Sequence, residues 1–156
     1  MVGMTLTVDG MEDVSMMLDR FRGAVPNARP VLEDMAVHVR TRTFAGTFQR
    51  RGLPGRPWVP LSARYAAWKA QRRPGAGILE FDGDLEASMT TPRGGVFKVT
   101  RTGFEVGTDV PYARFHQDGS PSTNLPARPI IGPLGKRDRQ ALVKMLQAHI
   151  IREASA

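Results

Sequence analysis

Residues 96–107 read VFKVTRTGFEVG, and this stretch decides the fold class. From 96 to 101 its side chains fall into two alternating sets, which is the period of an extended strand. Thr102-Gly103 then supplies a polar turn ahead of a second short strand at 104–107. The stretch therefore predicts a β-hairpin and, with it, a small, mainly antiparallel sheet.

Helical periodicity surrounds this hairpin. Apolar side chains recur at spacings of three and four in 11–22 and again in 30–44, where Pro30 suits the first turn of a helix. The same period returns after Gly135, with His149 on the apolar stripe as a core or boundary residue. We expect these N-terminal and C-terminal helices to pack against the sheet, which gives an α+β fold.

Shorter elements complete the predicted map. Thr5–Val8 alternates polar and apolar residues as an edge strand does, and 130–131 is a further candidate strand. Ser62 suits the N-cap of a short helix that runs from Ala63 to about Gln71. The length of 156 residues fits one domain over 1–156, with a single core.

The composition excludes several classes of protein. Without cysteine the chain can form neither a disulfide framework nor a thiolate metal site. No apolar run approaches the roughly 18 residues of a membrane span. The N-terminal residues lack the features of a signal peptide, so we expect synthesis in the cytosol and no membrane contact.

Positive charge is concentrated in one segment. Nine of the 22 Lys and Arg residues lie between Met35 and Leu79, where no acid occurs. The rest of the chain carries 13 basic and 15 acidic residues, so the formal net charge of +7 comes from this segment. The segment could stay solvated or lie between subunits, dock on an acidic protein surface, or contact DNA phosphates.

Residues 47–60 form a predicted loop, because Gly52-Leu53-Pro54-Gly55, Pro57 and Pro60 interrupt regular structure. Few apolar side chains are available to pin this loop to a core, so we expect it to be mobile before assembly. Trp58 is the exception. It could anchor the loop in the core or act as an interface hot spot, and in an oligomer both could hold.

Two features invite an enzymatic interpretation. Asp82, Asp84 and Glu86 form the one dense acidic cluster, but their spacing matches no complete calcium loop, and acids at a helix start are ordinary capping residues. His116 lies beside a glutamine and an aspartate without a nucleophile in a recognisable motif, which is typical of a structural histidine. We therefore predict no catalytic residue, no metal site and no cofactor.

Arg128 is held between two prolines, Pro126 and Pro129. Because proline stiffens the backbone on both sides of Arg128, binding through its guanidinium costs little conformational entropy. It could bind a fixed partner, or it could form an internal salt bridge with an acid such as Asp118. Both alternatives stay open.

Five motifs occur in a fixed order along the chain. They are Phe44-Ala45, WVPL at 58–61, Ile78-Leu79 with GDLEAS at 83–88, YARFHQDG at 112–119, and PARPIIG at 126–132. This order resembles the phage virion morphogenesis family, the tail completion proteins of Mu-like and P2-like tailed phages. The resemblance runs from about Phe44 to Gly132 and extends loosely over both flanks. The helix after WVPL departs from the family pattern, since Tyr65 and Trp68 make it more apolar and suggest a different subunit contact.

The resemblance implies a structural protein of the virion, located in the tail or neck and assembled in the host cytoplasm. Tail completion proteins are thought to act at the head-proximal end of the tail, where they stop tube growth and prepare head–tail joining. We expect self-association into a ring, with a hexamer as the form that suits a sixfold tail. The tail tube and the head–tail connector are the expected partners, with DNA in the channel as a non-specific contact.

The candidate interface or DNA-facing residues are Arg50, Arg51, Arg56, Trp58, Arg72, Arg73 and Arg128. The alternative function is a small basic DNA-binding protein that uses the arginine-rich stretch 40–73. It predicts that the monomer binds duplex DNA with an affinity that falls steeply with salt. The lack of a recognisable recognition helix or aromatic stacking platform in the sequence counts against it.

Overall fold

The computed structural model describes residues 4–6, 27–91 and 94–154, and for 4–6 and 154 it describes the backbone alone. The predicted helix at 11–22 lies outside the described residues, as do Thr7 and Val8 of the predicted edge strand. The described ranges contain helices and two antiparallel sheets. The predicted α+β class is confirmed.

A continuous helical rod opens the main described range. It consists of α1 (Arg29–His38), a π-helical segment (Val39–Phe44) and α2 (Ala45–Arg50). In the π-helical segment the N–H of Ala45 bonds to the carbonyl of Arg40, five residues earlier. The predicted apolar stripe is confirmed, since these residues are buried: Val31, Leu32, Met35, Ala36, Val39 and Phe44.

The predicted loop over 47–60 needs correction. Helix α2 continues to Arg50, and a small hairpin follows, formed by β2 (Gly52–Leu53) and β3 (Arg56–Pro57). Phe48 is buried in this segment in addition to Trp58, the one anchor that the sequence predicted. Glycine is required in β2, where a Cβ at position 52 would lie 2.6 Å from the carbonyl oxygen of Arg56.

The hairpin predicted at 96–107 forms the centre of the larger sheet. Strands β4 (Val96–Val99) and β5 (Phe104–Thr108) pair antiparallel, with Val99 opposite Phe104. Strand β1 (Met4–Leu6) pairs with the other edge of β5, which gives the order β1-β5-β4. β5 is the central strand of this sheet, and its last three residues are buried.

The candidate strand at 130–131 is wrong, and the side chain of Gln117 explains why. Its Oε1 accepts hydrogen bonds from the N–H groups of Ile130 and Ile131 at 2.9 and 3.0 Å. Its Nε2 donates to the carbonyl of Ile131 at 2.7 Å. A side-chain amide thus satisfies the backbone groups that a neighbouring strand would otherwise pair. Gln117 belongs to α5 (Ala113–Asp118), which comes after α3 (Ala63–Arg72) and α4 (Asp84–Thr90) in the chain. A short 3₁₀ turn (Pro121–Thr123) follows α5.

The C-terminal helix, α6 (Lys136–Ala154), packs on α1, which in turn packs on β4 and β5. His149 is buried in α6, as predicted, and its Nε2 lies 2.9 Å from the carbonyl of Asn27. Its Nδ1 lies 3.0 Å from the Arg152 guanidinium, which can only donate. Nδ1 is therefore the acceptor, and the proton lies on Nε2. None of the helices in the described ranges combines the length and the apolar character that crossing a bilayer requires.

Candidate functional site

Trp58 is buried inside the protomer. Its side chain is 4% exposed, its indole N–H donates to the carbonyl of Pro129 at 2.8 Å, and its ring meets that of Phe48 edge-on, with centroids 5.6 Å apart. The interpretation of Trp58 as a core anchor is confirmed. Within one protomer this side chain is not available to a partner.

Arg128 is also buried, at 4% exposure. Its Nε donates to the carbonyl of Val59 at 2.7 Å and its Nη2 to that of Pro60 at 3.1 Å. The guanidinium is thus satisfied internally, by backbone carbonyls in place of the carboxylate of Asp118. Together with the hydrogen bond from the indole of Trp58, these contacts fix the WVPL and PARPIIG motifs against each other.

Arg40, the first cation of the basic segment, faces the protein interior. It is 1% exposed, and burial lowers the pKa of its guanidinium. Its partners are the backbone carbonyls of Ser88, Thr91, Gly94 and Gly107. The first two belong to the C-terminal end of α4 (Asp84–Thr90), where helix carbonyls lack intrahelical partners and a cation is favoured. Arg40 therefore acts as a cap inside the fold.

Lys69 is the second buried cation of the segment, and its Nζ donates to the carbonyl of Gly77. Burial lowers the pKa of this ammonium, Glu80 raises it and Arg128 lowers it further. The charge available to a partner is accordingly smaller than the sequence suggested. The exposed cations of the segment are Arg42, Arg50, Arg51, Arg56, Arg64, Arg72 and Arg73.

Helix α3 (Ala63–Arg72) presents its apolar residues to solvent. Ser62 caps it as predicted, since its hydroxyl accepts from the N–H of Tyr65 at 3.3 Å. Of the ten residues of α3, Lys69 is the only buried one. A surface helix normally turns its apolar stripe towards the core. Here the exposed apolar residues are Ala63, Tyr65, Ala66, Ala67, Trp68 and Ala70.

Three aromatic rings stack on this helix. The ring centroids of Tyr65 and Trp68 are 5.4 Å apart, and those of Trp68 and Phe81 are 5.8 Å apart. The guanidinium of Arg72 lies 4.5 Å from the Trp68 centroid, and that of Arg73 lies 5.3 Å from the Phe81 centroid. Tyr65 and Trp68 remain 43% and 40% exposed. We call these five residues the aromatic–arginine cluster.

The sequence pointed to four members of this cluster and missed Phe81. Phe81 lies 13 residues beyond Trp68, outside any helical or strand period that would join them. The available signal was Pro74-Gly75, which ends the helix and lets the chain turn back towards it. An ion pair between Arg73 and Asp82 links the returning segment to the end of α3.

Arg50, Arg51 and Arg56 lie elsewhere, around the small hairpin. Arg50 is the last residue of α2, Arg51 ends that helix in the left-handed region with φ 55°, and Arg56 opens β3. All three are exposed. In the described ranges no hydrogen bond, ion pair or ring contact links them to the aromatic–arginine cluster. The predicted site residues therefore divide into two exposed groups and one buried pair.

The acidic cluster begins α4. Gly83 is the N-cap of this helix, and Asp84 and Glu86 lie in its first turn, where negative charge is favoured. Burial and the charge of Glu80 raise the pKa of Glu86. In the part of the chain that the structure describes, no three His, Asp or Glu side chains group as metal ligands would.

His116 lies in α5, its ring edge-on to Tyr112 with centroids 6.0 Å apart. Its Nδ1 is buried and has no hydrogen-bond partner among the described residues. Burial lowers the pKa of this imidazole, and the nearby charge of Arg128 lowers it further. His116 is therefore neutral at pH 7.

This neutral histidine predicts a loss of stability in acid. In the unfolded chain His116 takes up a proton near its ordinary pKa of about 6.5, whereas the folded protein does so only at lower pH. The unfolded state then binds more protons, so the free energy of unfolding falls as the pH drops below about 6.5. Urea unfolding between about pH 7 and 5 should show a shallower fall for His116→Gln than for the wild type. Equal slopes for the two proteins would contradict this assignment.

Comparison with known proteins identifies a family. The model of the phage virion morphogenesis family matches residues 9–151 of the 156-residue chain. The match extends beyond the five motifs on both sides. No curated protein and no solved structure matches the chain.

Proposed function

The chain belongs to the phage virion morphogenesis family, and from this we propose that it is a structural protein at the head-proximal end of the tail, where it completes the tail and takes part in head–tail joining. It acts by binding and assembly and performs no catalysis. The observation that carries the proposal is the family match over 9–151. The exposed aromatic–arginine cluster supports it, since tryptophan, tyrosine and arginine are enriched in binding hot spots.

The assembly that we propose is a ring of identical subunits on the end of the tail tube. Head-to-tail contacts between copies close into a ring when the rotation between subunits permits. A sixfold tail makes a hexamer the expected ring. The tube and the head–tail connector are the proposed partners on its two sides.

Light scattering on the purified protein, with and without tail tubes, tests this proposal. We expect a mass of six times the 17.2 kDa protomer, either free in solution or formed on tubes. The measurement at low and high salt separates specific rings from charge-driven aggregates, because screening weakens the latter. A monomer that ignores tubes at both salt concentrations would exclude the proposed role.

A DNA-binding protein is the second candidate function. Seven exposed arginines between residues 40 and 73, with no acid among them, favour it. Phosphate contacts of this kind weaken steeply with salt and carry no sequence preference. Fluorescence anisotropy with a labelled DNA duplex should then show that the monomer binds DNA. The double variant Arg50→Gln with Arg51→Gln should bind the duplex more weakly. Tube binding without any duplex binding would rule this candidate out.

A further inference from the structure

Among the described residues, helix α3 leaves its apolar side chains uncovered. Nine of its ten residues are exposed, and Lys69 supplies its buried attachment through the carbonyl of Gly77. The alanines at 63, 66, 67 and 70 recur at helical spacing and form a face of their own, on the side of α3 opposite Tyr65 and Trp68. Exposed apolar surface of this kind on a folded domain marks an interaction site.

The rings on this surface are held before any partner arrives. Tyr65 and Trp68 stack on each other, Phe81 stacks on Trp68, and two guanidinium groups lie over the rings. Side chains fixed in this way lose little conformational entropy on binding. The surface is therefore suited to a specific contact.

The charges around α3 indicate the chemistry of the partner. Within the described residues Arg73 pairs with Asp82, whereas Arg64 and Arg72 are exposed and pair with no carboxylate. No acid occurs between Met35 and Leu79, so the charged residues of α3 itself are all basic. Complementary potentials favour a partner that carries carboxylates. A second copy of a chain with a net charge of +7 is the less complementary occupant.

A nucleic acid fits this surface less well than a protein does. Bases bind single-stranded sites by stacking on free aromatic faces, but here the rings stack on one another and on guanidinium groups. An apolar surface rimmed by carboxylates can contact both the rings and the neighbouring guanidinium groups.

We infer that α3 is a docking helix that binds an apolar, carboxylate-rimmed surface on the end of the tail tube. This inference rests on the proposed function and assigns one contact with the tube to α3. Tyr65 and Trp68 fill the apolar part, while Arg64 and Arg72 face the acids of the partner.

Co-sedimentation with purified tail tubes that lack this protein tests the inference. The double variant Tyr65→Ala with Trp68→Ala should bind tubes about 30-fold more weakly, the effect of losing one hot spot. The matched control is Tyr112→Ala with Phe115→Ala, whose side chains are 45% and 41% exposed and lie on or beside α5. The control should bind as the wild type does. Thermal unfolding shows whether each variant is folded.

Charge reversal provides an independent readout. Arg64→Glu with Arg72→Glu should weaken tube binding, and the wild-type affinity should fall as salt rises. Arg137→Glu with Arg139→Glu, exposed on α6, is the control with the same change of charge. Equal losses in both pairs would overturn the acidic contact at α3.

The outcomes separate this inference from the proposed function. Wild-type protein that fails to bind tubes overturns both. Wild-type protein that binds tubes, together with aromatic variants that bind equally well, overturns the docking helix alone. The docking helix is also overturned if the aromatic variants still bind tubes but no longer form the oligomer seen without tubes, because a second copy would then occupy α3. The same holds if they still bind tubes but no longer bind duplex DNA, because DNA would then occupy α3.

Discussion

Replacing Arg40 with alanine is expected to lower the free energy of unfolding by about 3–5 kcal/mol. The guanidinium is buried and bonds to four backbone carbonyls that come from α4, from the segment after it and from β5. Alanine would leave these carbonyls without their donor, and the bonds to Ser88 and Gly107 are buried ones. Urea unfolding followed by circular dichroism measures the change.

Arg42 is the matched control for this substitution. It lies two residues along the same π-helical segment and is exposed, so Arg42→Ala should change the free energy of unfolding by less than about 0.5 kcal/mol. Arg40→Lys should fall between the two, because an ammonium keeps the charge and loses the planar fork. If Arg40→Ala and Arg42→Ala proved equally mild, Arg40 would not be the cap that we describe.

Trp58→Ala is the second substitution with a large expected effect, a loss of about 3–5 kcal/mol in the free energy of unfolding. The indole is buried against Phe48, and its N–H is the donor to the carbonyl of Pro129. Alanine removes that donor and leaves a cavity between the small hairpin and the PARPIIG segment. Trp58→Phe should lose less, since the ring contact survives and only the hydrogen bond is removed.

The other tryptophan gives the control. Trp68 is 40% exposed, so Trp68→Ala should reduce stability by less than about 1 kcal/mol. The two tryptophans should therefore affect different assays: replacing Trp58 lowers the free energy of unfolding, and replacing Trp68 weakens tube binding. Similar stability losses in both variants would refute the distinction between a core anchor and a docking residue.

Local patterns predicted the elements well. The two-residue period at 96–107 and the apolar stripe of α1 both appear in the structure at the expected places. Strand and helix periods are properties of neighbouring residues, so they can be recognised without knowing what the element packs against. The loop at 47–60 was misjudged because glycine and proline indicate turns but do not reveal which flanking side chains enter the core.

The candidate site was predicted only in part. Arg72 and Arg73 are exposed as expected, whereas Trp58 and Arg128 are buried, and Phe81 joins the cluster from a distant segment. Each difference depends on a contact between residues far apart in sequence. Periodicity and composition carry no information about such contacts.

By itself the sequence determined the α+β class, the order of the motifs and the family to which they belong, because these follow from residue types and their local spacing. Tertiary structure alone decided which cations of the basic segment are structural and which remain available to a partner. Arg40 and Arg42 are the same residue type two positions apart, yet one is buried under carbonyls from residues 88–107 and the other is exposed. Burial depends on what the chain places opposite a side chain, and only the folded protein establishes that.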